Sequence, residues 1–307
     1  MRNLTLKQLR AVAAIARRGT ITRAAEELHL TPAALTARLK QLEQDLGLML
    51  FDRTASGLRP TEAGRLLLHA VERVGAVLAE CGESLDALRG LSRGRLNIGV
   101  VSTAKYFAPR LIAAFARSHP GIEMGLQVYN REGTLRVLRD YEVDLAIMGR
   151  PSDAFEVEKE AFAEHPLVII AAPDHPLARR KRLRFDQLGG ETFLVREPGS
   201  GTRMVFENLC DEALRGKRPR VGMEIPSNET IKQAVMAGLG IALISGHTVE
   251  AELRDGRLAM LPVAGLPIRR QWFLVRRADR HPSPAVQGFW DFLRREGAAM
   301  LPKLPSR

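Results

Sequence analysis

Five short segments of this 307-residue chain concentrate hydroxyl, amide and cationic side chains. They are Ser102-Thr103-Ala104-Lys105, Asn130-Arg131-Glu132-Gly133-Thr134, Gly149-Arg150-Pro151, Glu197-Pro198-Gly199-Ser200-Gly201-Thr202-Arg203 and Ser227-Asn228-Glu229-Thr230. Hydroxyls and amides donate hydrogen bonds, glycines let backbone N–H groups approach a ligand, and Lys or Arg supplies charge. If folding gathers Ser102, Thr103, Lys105, Asn130, Arg131, Gly149, Arg150, Ser200, Thr202, Arg203, Asn228, Glu229 and Thr230, the result suits a carboxylate or a phosphate. Any one of these segments, alone, is more often a turn. Their shared place at the ends of strands makes the joint case. No catalytic residue and no metal site are expected. His165, His175, His247 and His281 are scattered outside any triad or metal spacing and read as satisfied or exposed rings. No Walker lysine follows Gly199-Ser200-Gly201, so nucleotide hydrolysis is not indicated.

A second group lies near the N-terminus. Thr31 is a good helix N-cap and Pro32 suits the first helical position, where a missing N–H costs nothing. With Leu35, Leu39, Leu42 and Leu46 on one stripe, Ala33, Ala37, Lys40 and Gln44 face away, with Thr36 beside them and Arg38 on the flank. The small, uncharged start of that face can approach base edges, a Thr hydroxyl or methyl can read them, and Arg38 can reach a phosphate. After the anchors Leu50 and Phe51, residues 52–59 make a polar hairpin that would carry Arg53 and Arg59 to phosphates or the minor groove. An ordinary solvated helix face is the competing reading.

The elements that must position these groups follow from periodicity. Leu6, Leu9, Val12, Ala13 and Ala16 recur at helical spacing up to Gly19, and a second helix from Thr22 to His29 turns Ala24, Ala25 and Leu28 inward. Thr61 and Glu62 open a further helix. Its Leu67, Val71, Val74, Leu78, Cys81, Leu85 and Leu88 alternate at spacings of four and three, a seam one helix cannot bury by itself. From Arg95 the chain alternates strands and helices, with strands expected at 96–101, 122–129, 144–148, 167–172, 193–195, 220–225 and 240–245. That is an open α/β arrangement, which binds ligands at the carboxyl ends of its strands. Trp272 and Trp290 read as core.

Composition is that of a globular protein, 45% hydrophobic and 26% charged, with a formal net charge of +11. Such a balance favours nucleic acid or small anions, although a basic enzyme would show it too. No apolar run is long enough to span a bilayer, and residues 1–8 do not begin a signal peptide. Cys81 and Cys210 lie far apart, so neither a disulfide framework nor a zinc site is expected and a cytoplasmic location fits.

The runs Ala24-Ala25-Glu26-Glu27-Leu28-His29-Leu30-Thr31, Leu39-Lys40-Gln41-Leu42-Glu43, Leu48-Met49-Leu50-Phe51-Asp52-Arg53 and Leu58-Arg59-Pro60-Thr61-Glu62-Ala63-Gly64 resemble, in order and spacing, the winged helix-turn-helix of LysR-type transcriptional regulators. The second half resembles that family's effector-binding domain, so the likeness covers essentially the whole chain. Val101 to Pro109, Met148 to Pro151, Arg196 to Arg203 and Ser227 to Gly238 are similar to the Calvin-cycle branch, regulators of the RuBisCO operon. The resemblance implies a winged helix-turn-helix over 1–60, a linker and dimerisation helix over 61–90, and a periplasmic-binding-protein-like α/β effector domain over 91–307. Within the last, subdomain I would comprise 91–165 with 266–307, and subdomain II 166–265. It further implies double-stranded promoter DNA and RNA polymerase as partners, a homodimer or homotetramer, and no membrane. No cofactor is implied. The effector would be a phosphorylated or carboxylated metabolite or a nicotinamide nucleotide. Three readings compete with a carbon-fixation regulator: a LysR-type regulator of an unrelated operon, a ligand-binding protein with no DNA role, which needs neither head nor heptad, and an enzyme, for which no catalytic set is visible.

Overall fold

The computed structural model describes residues 4–54, 57–88, 94–152, 155–214 and 219–305. The chain forms two compact units, Met1–Cys81 and Gly82–Arg307.

In the first unit, α1 (Leu6–Arg18), α2 (Ile21–Glu27) and α3 (Pro32–Leu46) are followed by the hairpin β1 (Phe51–Thr54) and β2 (Gly57–Pro60), and then by α4 (Glu62–Leu88), which runs from the first unit into the second. Local chemistry fixes each boundary. Thr5, Thr20 and Thr31 accept backbone N–H groups as N-caps, and Gly19 and Gly47 close α1 and α3 in the left-handed conformation. The second helix therefore begins at Ile21, one residue before the expected Thr22, because Thr20 caps it. Val12, Ile15, Ala24, Ala25, Leu35, Leu42, Leu50 and Phe51 make one small core. The buried Glu43 carboxylate accepts the Leu50 N–H at 2.8 Å, and the Leu58 N–H donates to the Gly19 carbonyl at 2.7 Å, so wing and helices are fastened together.

Helix α4 leaves its seam uncovered within one chain. Val74, Leu78 and Leu85 are exposed, as are Leu66 and Val77, and the Cys81 thiol is exposed too. The side chain of Leu88 lies outside the described residues, as do Ala55 and Ser56 of the hairpin and the expected boundary at 90/91.

The second unit comprises β3 (Gly94–Val101), α5 (Ala108–Ser118), β4 (Ile122–Tyr129), α6 (Arg131–Arg139), β5 (Leu145–Met148), β6 (Val157–Ala171), β7 (Thr192–Val195), α7 (Gly201–Leu214), β8 (Arg220–Glu224), α8 (Asn228–Met236), β9 (Ala242–Ser245), α9 (Glu250–Arg254), β10 (Ala259–Met260), β11 (Ile268–Arg277) and α10 (Pro284–Glu296). One sheet runs β10-β6-β11-β5-β3-β4, with β9 also on β6, and a second pairs β7 with β8. Strands β3, β4 and β5 are parallel, whereas β6 and β11 pair antiparallel over their length.

Two differences from the sequence expectation concern β6 and β11. The strand expected at 167–172 begins ten residues earlier, at Val157, and the strand Ile268–Arg277 was not anticipated. The run Val157 to Glu164 is too charged to read as a strand. It is held by cross-strand ion pairs, Arg276–Glu158 at 2.6 Å and Arg269–Glu164 at 3.0 Å. These two strands carry the chain between two cores. Phe162, Trp272 and Leu274 belong to a core built on β3, β5, α5 and α10, while Leu167, Ile169 and Ala171 belong to one built with β7, β9 and α7. The change of core falls between Phe162 and Leu167 on β6 and before Trp272 on β11.

Candidate functional site

A cleft opens where the two long strands cross between the cores. It encloses about 440 Å³, its open mouth included. Of the residues expected to bind an anion, Ser102, Thr103, Asn130, Arg131, Gly149, Ser200 and Thr202 line it. Each arrives there for a local reason. Ser102 and Thr103 follow the carboxyl end of β3. Asn130 caps α6, its side chain accepting the Gly133 N–H at 2.8 Å, which places Arg131 in the first turn. Gly149 follows β5, where a larger side chain would close on the Arg270 guanidinium, 3.9 Å from an added Cβ. The 197–203 loop turns back at Gly199, whose φ of +81° disfavours any L side chain and whose added Cβ would sit 2.6 Å from the Glu132 carboxylate.

The other expected residues lie outside the lining. The Asn228 amide is buried one layer behind, where its oxygen accepts from Arg196 at 2.6 Å and its nitrogen donates to Ser102 at 3.3 Å. Arg203 points away, pairing with Glu207 at 2.5 Å and donating to the Arg196 carbonyl at 3.0 Å. Lys105 stands over the Tyr106 ring, 5.2 Å from its centroid. Glu229 accepts from the Tyr106 hydroxyl at 3.2 Å and pairs with Lys232 at 2.9 Å. Arg150 is exposed and offers its carbonyl to Arg131 at 3.3 Å, and Thr230 is exposed, its N–H capped by Ser227.

Three further lining groups were not among the expected binding residues: His165, read as a satisfied or exposed ring, Arg196, quoted only for its resemblance, and Arg270, not singled out at all. Arg196 is neutralised, its Nε and Nη2 donating to the Glu197 carboxylate at 2.8 and 3.0 Å while Nη2 also donates to Ser102 at 3.1 Å. Arg131 and Arg270 are not. No carboxylate among the described residues pairs with either, and the buried Nε of Arg131 has no partner. Burial works against the charge of both guanidinium groups, and for Arg270 the charge of Arg131 adds to it. His165 corrects the expectation of satisfied or exposed histidines. It is only 5% exposed, yet neither ring nitrogen has a partner. Burial, then His247 and Arg270, holds it well below the ordinary imidazole range. His247 does have a partner, accepting the Trp272 Nε1–H at 3.0 Å, and burial pushes it down to about 4. A pocket with two uncompensated cations and unanswered donors is arranged for an anion.

In the first unit the DNA-facing candidates form an exposed surface. Thr31, Pro32, Ala33 and Lys40 are exposed, and Thr36 and Arg38 are half-buried. Two hydroxyls are already engaged: Thr31 accepts the Ala34 N–H at 3.2 Å, and Thr36 donates to the Pro32 carbonyl at 2.8 Å. The Thr36 hydroxyl proton is therefore held within its own helix. Arg53 and Arg59 are both exposed on the hairpin, but Arg53 pairs in register with Leu58 and Arg59 with Asp52, which puts the two arginines on opposite faces of the ribbon.

Comparison with known proteins agrees with both halves. Residues 6–65 match the bacterial regulatory helix-turn-helix protein, lysR family, and residues 89–298 match the LysR substrate binding domain. The chain is 50% identical over 302 residues to the HTH-type transcriptional regulator CbbR of Xanthobacter flavus, covering 98% of this chain and 90% of that one. It is 47% identical over 298 residues to the RuBisCO operon transcriptional regulator of Allochromatium vinosum, covering 97% and 98%. Among solved structures, the Synechocystis PCC6803 CcmR regulatory domain in complex with 2-PG is 38% identical, with a TM-score of 0.63 over 66% of this chain and 97% of that one. By family models that together span most of its length and by near-full-length relatives, this chain belongs to the LysR family of transcriptional regulators.

Proposed function

We propose that this chain is a RuBisCO-operon type regulator gated by a small anionic metabolite seated between Arg131 and Arg270. The observation that carries the reading is the pair of inward guanidinium groups with no carboxylate partner, set among Thr103, Asn130, Ser200 and Thr202. The 2-PG held by the CcmR domain supports an effector of this class, a phosphorylated or carboxylated metabolite. The larger nicotinamide nucleotide is the second candidate. An outer groove continuous with the cleft, sharing Asn130, Arg131 and Ser200 and reaching Arg136, Arg139 and Phe155, gives it room.

In this reading residues 1–60 form the head and 61–90 the linker, and 91–165 with 266–307 and 166–265 form two subdomains hinged on β6 and β11. Ala33 and Thr36 meet base edges in the major groove, Arg38, Lys40, Arg53 and Arg59 meet phosphates, and Thr31 and Pro32 set the start of α3. The uncovered seam of α4 pairs with a second copy, and the assembly is a homotetramer that meets RNA polymerase in the cytoplasm. No helix among the described residues is long and apolar enough to cross a membrane. The effector favours one closure of the cleft and thereby one spacing of the heads, and a tenfold change in occupancy needs about 1.4 kcal/mol of differential binding.

The test is a thermal-shift titration of wild-type protein and Arg131→Ala/Arg270→Ala with 2-phosphoglycolate and NADPH. A ligand bound to the native state raises the melting temperature of the wild type and leaves the double variant unmoved. Equal shifts in both proteins would place the ligand elsewhere. Retardation of the chain's own upstream promoter DNA separates a regulator from a ligand-binding protein without a DNA role.

A further inference from the structure

We propose that His165 is the group by which this cleft distinguishes a phosphate monoester from a carboxylate: neutral while the cleft is empty, it takes one proton from solvent as the phosphate docks against it. The inference rests on the cleft being the anion site.

The geometry is that of a ring held ready. His165 lies on β6 opposite Arg270 of β11, at the crossing between the two cores, and it lines the cleft. Its plane is fixed by stacking on Trp272, with centroids 3.8 Å apart and planes 16° from parallel. Trp272 is itself fixed, fully buried and donating to His247. Within this clamp both nitrogens of His165 are buried and unanswered. Buried polar atoms without a partner are exceptional, and at a cleft they mark where a ligand can bond.

Charge then says which ligand. The titratable and charged groups around the ring are Arg270 from β11, His247 from the turn after β9, Arg131 from α6 and Arg196 after β7. Arg196 is balanced by Glu197. Arg131 and Arg270 together offset two negative charges, which one or two carboxylates would use up. A phosphorylated carboxylate carries between two and three charges near neutral pH. The third group able to carry positive charge there is His165, whose charging is opposed by burial, His247 and Arg270 in the empty cleft and favoured once a dianion adjoins it. Binding of a phosphate monoester therefore takes up a proton, and affinity rises as pH falls.

Calorimetry on full-length protein with 2-phosphoglycolate and with glycolate, each in two buffers of different ionisation enthalpy between pH 7 and 8.5, counts the protons. The expected result for wild type is uptake of at least about half a proton with 2-phosphoglycolate and none with glycolate. Affinity for the phosphate ester should rise several-fold per pH unit on lowering pH, against a limit of tenfold for one proton. In His165→Gln, which keeps a hydrogen-bonding side chain but cannot charge, the uptake and the pH dependence of affinity disappear. A ring that merely packs on Trp272 would not move the proton count. Equal uptake in both proteins, or wild-type binding without uptake, overturns the role of His165 and leaves the cleft reading standing. No binding of 2-phosphoglycolate to wild type overturns both. If His165→Gln does not fold, nitrogen NMR of the His165 imidazole in wild type at pH 7.5 replaces it: a ring charged only with 2-phosphoglycolate bound supports the role, and a ring neutral with and without the ligand overturns it.

Discussion

Two cationic clusters in the second unit treat their charge in opposite ways. Lys232 is 3% exposed and fully compensated, bonded to Glu252 at 2.8 Å and Glu229 at 2.9 Å, with the Tyr106 ring 4.8 Å away. Arg131 and Arg270, together with His165, face a cleft with no carboxylate pairing them. The first arrangement pairs its cation within the chain, although the Oε2 of Glu252 is buried without a hydrogen-bond partner. Taking a charge out of water is costly unless it is paired, so a cluster left open is under a standing cost that an anion relieves. Burial alone therefore does not mark a functional charge; a cation at a cleft that no carboxylate among the described residues pairs is the more telling sign.

The contrast can be broken from either side. The largest effect is expected at Lys232. Lys232→Met leaves the buried Glu252 carboxylate with only the half-exposed Arg257 guanidinium, 3.8 Å away, and unfolding by urea should show a loss of about 3 kcal/mol. A loss below about 1 kcal/mol would mean the two clusters are alike. Acid comes next. His247 binds protons less readily in the folded chain, near pH 4, than when unfolded, near 6.5. Above 6.5 both states are neutral and nothing changes. Between 6.5 and 4 the unfolded state gains protons first, so stability should fall with pH by up to about 1.4 kcal/mol per unit. His247→Gln should flatten that slope in urea midpoints taken at pH 7 and 5. At the open cluster, Arg131→Ala should leave the urea midpoint unchanged or raised while weakening 2-phosphoglycolate at least about tenfold by calorimetry. Gly201→Ala, which would press a Cβ to 3.3 Å from the Arg131 side chain, should weaken it a few-fold. The smallest effects belong to the first unit. Arg59→Ala should lower operator affinity at all sequences and reduce the salt slope by about 1. Thr36→Val, which loses only a hydroxyl bonded to its own helix, should bind operator within about twofold of wild type, whereas Thr36→Ala, which loses the methyl as well, weakens it.

Much of this was legible before the fold. Caps at Thr31 and Gly47, the Leu35-Leu39-Leu42 stripe and the strand-end donors follow from local rules that act over a few residues. Thr103, Asn130, Arg131 and Thr202 could be named because parallel strands present ligands at their carboxyl ends. His165 and Arg270 could not, since they sit in mid-strand, where chemistry depends on what crosses above. A faint signal existed. Arg270 alternates with Ile268 and Trp272 and so falls on the inward side of its strand, an odd place for a cation. Arg203, by contrast, looked right by position, but Glu207 one helical turn on gives it a local partner.

An anion bound in this cleft is expected to change how the head grips DNA. The most direct measurement is the affinity for the chain's own upstream promoter fragment with and without saturating 2-phosphoglycolate, in wild type and in Arg270→Ala. The expected result is a ligand-dependent change in wild-type affinity or footprint that is absent in the variant at the same ligand concentration. A response of equal size in both proteins would contradict it.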